Sequence, residues 1–235
     1  VTAAGGAISV LLGTVILRLT LTGTYQRYVR EEMGPFLLVA GVAVLVLGVI
    51  TLTRALRGGA SGSHHHDYDD GHGHDHGGDI PVGWLLLAPI AALLLVAPPT
   101  LGAYGVDRAN VVVKPGGRVF DPLVRGRGPV PMTLLEYGQR AFERDGASFN
   151  GVPVRLTGFV AGADAHGFRL ARYQIACCAA DATPAVVVVT GTTGDLPPRD
   201  QWLTVTGTYE PAGEELPRLS ATSVVEIAVP NDPYE

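Results

Sequence analysis

Three long stretches within the first hundred residues carry almost no ionisable side chain, and no other feature of the chain restricts its fold so strongly. Between Ala3 and Thr22 the only one is Arg18, while Pro35 to Thr53 and Ile80 to Tyr104 have none. About 20 apolar residues cross a bilayer core of roughly 30 Å, so each stretch is a candidate membrane span. The first is followed by YQRYVREE rather than a small-residue cleavage site and lacks a basic leader, so it reads as a retained helix and not a signal peptide. The second places Pro35 in its first turn, where a missing N–H costs least, and stops at Arg54 and Arg57. The third has Trp84 and Tyr104 near its ends, Pro89 as a kink and Pro98–Pro99 as a stop. A buried helix of a soluble domain is its alternative. Arg18 lies within one turn of a span end, where the guanidinium can snorkel to the headgroups; a polar contact with a partner is the other reading. Gly5, Gly6 and Gly13, with Gly41 and Gly48, give small-residue faces on which helices can approach closely.

Between the second and third spans sits SGSHHHDYDDGHGHDHGGD. Six of the seven histidines fall here: His64, His65, His66, His72, His74 and His76, interleaved with Asp67, Asp69, Asp70, Asp75 and Asp79. Such composition buries no core and is expected to stay flexible. Imidazoles and carboxylates suit zinc and neighbouring transition metals, so the histidines with Asp67 and Asp75 are expected to form a weak, exchangeable metal site. A polar spacer is the alternative.

From Val106 onward charge returns and glycine and proline punctuate the chain. Residues 105–132 read as an irregular linker. Thr133 followed by Glu136 is a capping-box pattern, and it predicts a short helix over 133–144. Five strand-like runs follow, at 153–160, 167–175, 185–191, 201–209 and 219–229, separated by turns at AGADAHG, DATP, TGDLPPRD and EPAGEELP. Gly158 and Gly207 fall inside strands, where bends or bulges are expected. Five short strands in this space suggest a small OB-like β-barrel, with a compact sandwich as alternative. The fold class is therefore membrane α plus an all-β head: a three-span region at 1–104 with a histidine-rich loop at 61–79, a linker, and an OB-like domain at 133–235 with a short N-terminal helix.

Cys177 and Cys178, the only cysteines, are adjacent, which does not suit a disulfide within the chain. With Asp181 they offer three metal ligands, and His166 is a conceivable fourth; two small residues packed at a barrel edge is the alternative. Redox chemistry would need a thiol made acidic by positive charge, for which Arg169 and Arg172 are candidates. No nucleophile elbow, phosphate loop, HExxH or Rossmann fingerprint is present, and the chain is not expected to be an enzyme. A net charge of −5 and a single lysine, Lys114, set it against nucleic acid despite the barrel aromatics Phe159, Phe168, Tyr173, Trp202 and Tyr209.

The motifs RLTGFV, FRLARYQIACCAADATP, QWLTVTGTY and the closing PNDPYE, in that order behind short N-terminal spans and a histidine-rich loop, resemble the YcgQ-like family of bacterial membrane proteins. The stretch RxxxxCCxADA from Arg172 to Ala182 is the most specific part. The resemblance implies a subunit of a two-component membrane permease complex, with a separate multi-spanning permease as partner, and a link to zinc homeostasis. It implies no catalytic residue; Cys177, Cys178 and Asp181 are the positions that match the signature. A stand-alone membrane metal sensor or buffer, and a membrane-tethered thiol protein, are the competing readings. Three spans would put the 23–34 loop and the β domain on one face of the cell membrane. Arg27 and Arg30 balance Arg54 and Arg57, so the positive-inside count ties. A basic leader ahead of Val1 would place the β domain outside the cytoplasm, the reading adopted here, although unpaired thiols persist best in the cytosol.

Overall fold

The computed structural model describes residues 3–58, 100–109, 119–192, 194–211 and 216–235. The histidine tract, the third candidate span up to Pro99 and the Glu214–Glu215 turn lie outside the described residues. The chain forms two compact units, the second of which takes in Gln26–Glu31 together with the chain from Thr100 onward.

The first unit is a pair of helices, α1 (Ala3–Leu21) and α2 (Gly34–Gly58). At 1.5 Å per residue they reach about 28 and 38 Å, and both are long and apolar enough to cross a membrane. They pack closely because glycine removes the side chain at the contact. A Cβ at Gly6 would stand 2.8 Å from the Leu52 backbone nitrogen, at Gly13 2.6 Å from that of Leu45, and at Gly48 2.7 Å from that of Val10. These small-residue faces are therefore used within the chain. Large apolar side chains such as Phe36, Val39 and Leu47 point away from that contact and are exposed.

The second unit is a closed five-stranded barrel built from β2 (Val154–Asp164), β3 (Gly167–Gln174), β4 (Thr183–Thr190), β5 (Trp202–Glu210) and β6 (Arg218–Glu226). The order is β2-β3-β4-β6-β5, and β2 pairs again with β5 to close the ring. Every pairing among the five is antiparallel except β4–β6, which is parallel from Val188 against Arg218 to Thr190 against Ser220. This is the OB topology that five short strands with internal glycines suggested. Gly207 sits at the register shift of β5 against β6; its Cβ would stand 2.3 Å from the Ser220 carbonyl oxygen. The other shift lies between Val160 and Gly162 rather than at Gly158, and Ala161–Asp164, read as turn, continues β2 beyond it. The bulge re-aims the strand so that alternation is lost over four residues, which is the reason the pattern looked like a turn.

The barrel end is plugged by α4 (Leu134–Phe142), two residues shorter at its far end than the sequence pattern. Thr133 caps it by accepting from the Glu136 N–H at 3.0 Å. The return half of the capping box is not made, because the Glu136 carboxylate bonds Arg140 at 2.8 Å instead. Leu134, Tyr137 and Ala141, at spacings of three and four, enter the core with Phe149, Leu156 and Leu203. The Tyr137 hydroxyl donates to the Arg218 carbonyl, which satisfies its one polar atom.

The end of the third candidate span, from Thr100 to Tyr104, belongs to this unit rather than to a membrane helix, and the stretch read as linker contributes to it too. β1 (Val130–Pro131) pairs parallel with the start of β2. A short helix, α3 (Ala103–Val106), is held by Asp200, whose carboxylate accepts from the Ala103 N–H at 2.7 Å. Ala103 and Val106 pack with Phe159, Tyr173, Trp202 and Tyr234 in a second cluster. Four of the aromatics considered for base stacking, Phe159, Phe168, Tyr173 and Trp202, are buried, which leaves their rings no free face.

Candidate functional site: a thiol–carboxylate loop

β3 ends at Gln174, and the chain turns through Ile175–Ala182 before β4 begins. Ile175 is buried and anchors the turn. Cys178 then starts a single 3-10 turn, Ala179–Asp181, and Asp181 folds back over it. Its Oδ1 accepts from the Ala176 N–H at 2.8 Å, and its Oδ2 from the N–H groups of Cys177 at 2.9 Å and Cys178 at 3.3 Å. In return the Cys178 sulfur accepts from the Asp181 N–H. Three consecutive backbone N–H groups converging on one carboxylate make an anion nest whose anion is supplied by the chain itself.

This geometry brings together the three residues that the sequence singled out. One ligand atom from each of Cys177, Cys178 and Asp181 lies within 4.8 Å of the others, with Cys177 and Asp181 exposed and Cys178 half-buried. The two sulfurs are 3.7 Å apart and both cysteines are free thiols. His166 is not part of the group: it lies in the turn before β3, and the eight residues of that strand span about 26 Å.

The electrostatics work against redox use. The Asp181 carboxylate, hydrogen-bonded to the Cys177 thiol, pushes that thiol up to about 11. The same contact with Cys177, with the backbone N–H groups of Cys177 and Ala176, holds Asp181 down at about 2. A nucleophilic cysteine needs the opposite shift. The two candidate arginines are engaged elsewhere. Arg169 pairs with Asp107 at 2.9 Å. Arg172 reaches the carbonyls of Asp232, Pro233 and Tyr234 at 2.8, 3.3 and 3.0 Å, so the arginine of the RxxxxCCxADA stretch fastens the PNDPYE segment.

Sequence reasoning missed the backbone that holds this loop from the other side. The Arg30 N–H donates to the Cys177 carbonyl at 3.2 Å, and the Ala179 N–H donates to the Tyr28 carbonyl at 2.8 Å. Val29 and Cys178 thereby form an antiparallel bridge. The Tyr234 hydroxyl donates to the Arg27 carbonyl at 2.7 Å. The peptide units on both sides of Cys178 are thus pinned by Gln26–Glu31, the segment that joins α1 to α2. Main-chain pairing across nearly 150 residues leaves no side-chain pattern to read.

The chain thus combines two helices long and apolar enough to cross a membrane with a closed five-stranded barrel of OB type. The DUF1980 N-terminal domain matches residues 6–110 and the DUF1980 C-terminal domain matches residues 140–235; the chain belongs to the DUF1980 family. No curated protein matches it.

Proposed function

We propose that this protein is the membrane-anchored accessory subunit of a two-component permease complex, of the kind its YcgQ-like motifs imply, and that its cargo is a transition-metal ion of the zinc class. The observation that carries the reading is the joint at Gln26–Glu31. A buffer or sensor needs only a tether, whereas here the folded head takes the connection between two span-length helices into its own hydrogen bonding. A head held in that way can present a ligand to a membrane partner from a defined place.

The joint also supports three spans. Gln26–Glu31 and the head must lie on one side of the bilayer to pair. If α1 and α2 each cross it, the chain leaves α2 on the far side and has to return before Thr100, an odd number of crossings that the apolar stretch from Ile80 to Pro99 can supply. The histidine tract would then sit opposite the head, with the head outside the cytoplasm.

Native extraction in mild detergent, followed by affinity capture and metal analysis, tests the reading. A multi-spanning protein is expected to co-purify with the chain. Recovery of a stable, partner-free monomer would overturn it. Deletion of residues 64–76 separates the rival: an accessory subunit still assembles, whereas a metal buffer loses its function.

A further inference from the structure

We propose that Cys177, Cys178 and Asp181 form a three-ligand site for a tetrahedral divalent ion of the zinc class, with its fourth position open for transfer. The inference takes its biological meaning from the transport reading above, but its chemistry stands on the loop alone.

The spacing of the sulfurs carries the argument. Zinc–sulfur bonds are about 2.3 Å, and two of them at a tetrahedral angle place the sulfurs about 3.8 Å apart. The observed separation is 3.7 Å. A linear two-coordinate ion would need sulfurs on opposite sides of the metal, about 4.6 Å apart at the same bond length, so the pair is set for a bent bite. Thiolate sulfur with one carboxylate also selects a borderline-soft ion over magnesium or calcium, which take all-oxygen shells.

The third ligand is ready without reorganising the loop. An ionised carboxylate has about four lone-pair sites; Asp181 commits three of them to backbone N–H groups and the fourth to the Cys177 thiol, which releases it when its proton leaves. Binding forms two metal–thiolate bonds and one metal–carboxylate contact. Two S–H bonds break, both protons pass to solvent, and no electrons are transferred. The bound ion therefore leaves the net charge of the group as it was, because two positive charges enter as two protons leave.

Structural zinc sites close with four protein ligands, whereas a site with three keeps a position for water or an incoming donor. Here the group contains three ligands among the described residues, and two of the three are exposed. The hydrogen bonds of Tyr28 and Arg30 with the flanking peptides hold the backbone from which both sulfurs project.

Cobalt(II) alone, titrated into the full chain in detergent, is the test. Thiolate ligands give a sulfur-to-cobalt charge-transfer band that imidazole and carboxylate ligands do not, so the histidine tract is silent in this readout. One equivalent of cobalt is expected to develop the band, and zinc to abolish it by displacement. Cys177→Ser and Cys178→Ser should each weaken binding on the order of tenfold to a hundredfold, and the double variant should lose the band. Asp181→Asn, whose side-chain oxygen still accepts from the loop, should keep the band with roughly tenfold weaker binding. A chain whose two thiols titrate as free yet shows no band at saturating cobalt would overturn the site. A band that survives in the double variant would overturn it too. Capture of the permease partner by the double variant is read separately, so loss of metal and loss of partnership are told apart.

Discussion

Glu235 offers a quantitative test of how the head is held together. Its carboxylate lies at the N-terminus of α4, where both oxygens are 3.0 Å from the Leu134 N–H and Oε2 is 3.4 Å from the Leu135 N–H. Arg172 stands 4.0 Å away. Glu235→Ala leaves two helix-end donors without an acceptor beside Leu134, which is 1% exposed. A buried unsatisfied donor costs about 1–3 kcal/mol, so a loss of about 3 kcal/mol is expected, or roughly 10 °C in Tm for a domain of this size. Glu235→Gln keeps one acceptor and should cost about 1 kcal/mol. The comparison also has a pH signature. Burial, the dominant cause, raises the Glu235 carboxyl above its ordinary value of 4.5, with Leu134 and Arg172 opposing it. The protonated acid is thus favoured in the folded state. Its contribution is complete below 4.5 and is lost as pH rises through the raised value. Wild-type stability should therefore gain on the Gln variant as pH falls from 7 towards 4.5. Chemical denaturation of the full chain in detergent, followed by near-UV circular dichroism at several pH values, measures the gap. A gap that stays constant, or that closes as pH falls, would refute the assignment of burial over the helix terminus and Arg172.

Three further outcomes are expected. Gly13→Leu places a Cβ 2.6 Å from the Leu45 nitrogen, so it should separate α1 from α2 and cost about 1–3 kcal/mol; thermal unfolding in detergent that matches wild type would count against that contact. Tyr234→Phe removes the donor to the Arg27 carbonyl and should speed hydrogen exchange at the Arg30 and Ala179 amides, while unchanged protection would show that the joint does not depend on it. Because Cys177 is exposed and only two cysteines exist, an impermeant maleimide should label intact cells; labelling that appears only after lysis would place the head in the cytoplasm.

Much of the head is written in side-chain pattern. Alternation in RLTGFV, the valines of β4 and the TVTGTY run of β5 mark strands because each has one face in the barrel, and Thr133 marks the start of α4 because a hydroxyl there replaces a missing carbonyl. Legibility fails where backbone geometry decides. The bulge at Val160 breaks the two-residue period, so the end of β2 looked like a turn. Arg172 advertised a positive charge near the thiols, yet its partners are main-chain carbonyls of Asp232, Pro233 and Tyr234. For the site, the spacing of Cys177, Cys178 and Asp181 was visible, but the role of Asp181 as the lid of an N–H nest was not, since a nest is made of backbone. The same is true of Tyr28 and Arg30, which act through their peptide groups.

The joint between Gln26–Glu31 and the cysteine loop also sets an order of events during synthesis. Val29 pairs with Cys178, and at about 5–20 residues per second the second strand of that bridge is made roughly 7–30 s after the first. Until then the bridge between Val29 and Cys178 cannot form. The helix pair can form before the head exists and the Val29–Cys178 bridge can form once β2 and β3 have been made, but the joint closes fully only when Tyr234, which follows all five barrel strands, reaches the Arg27 carbonyl. Fastening of the connector is therefore a record that the head has folded, written into the segment between α1 and α2.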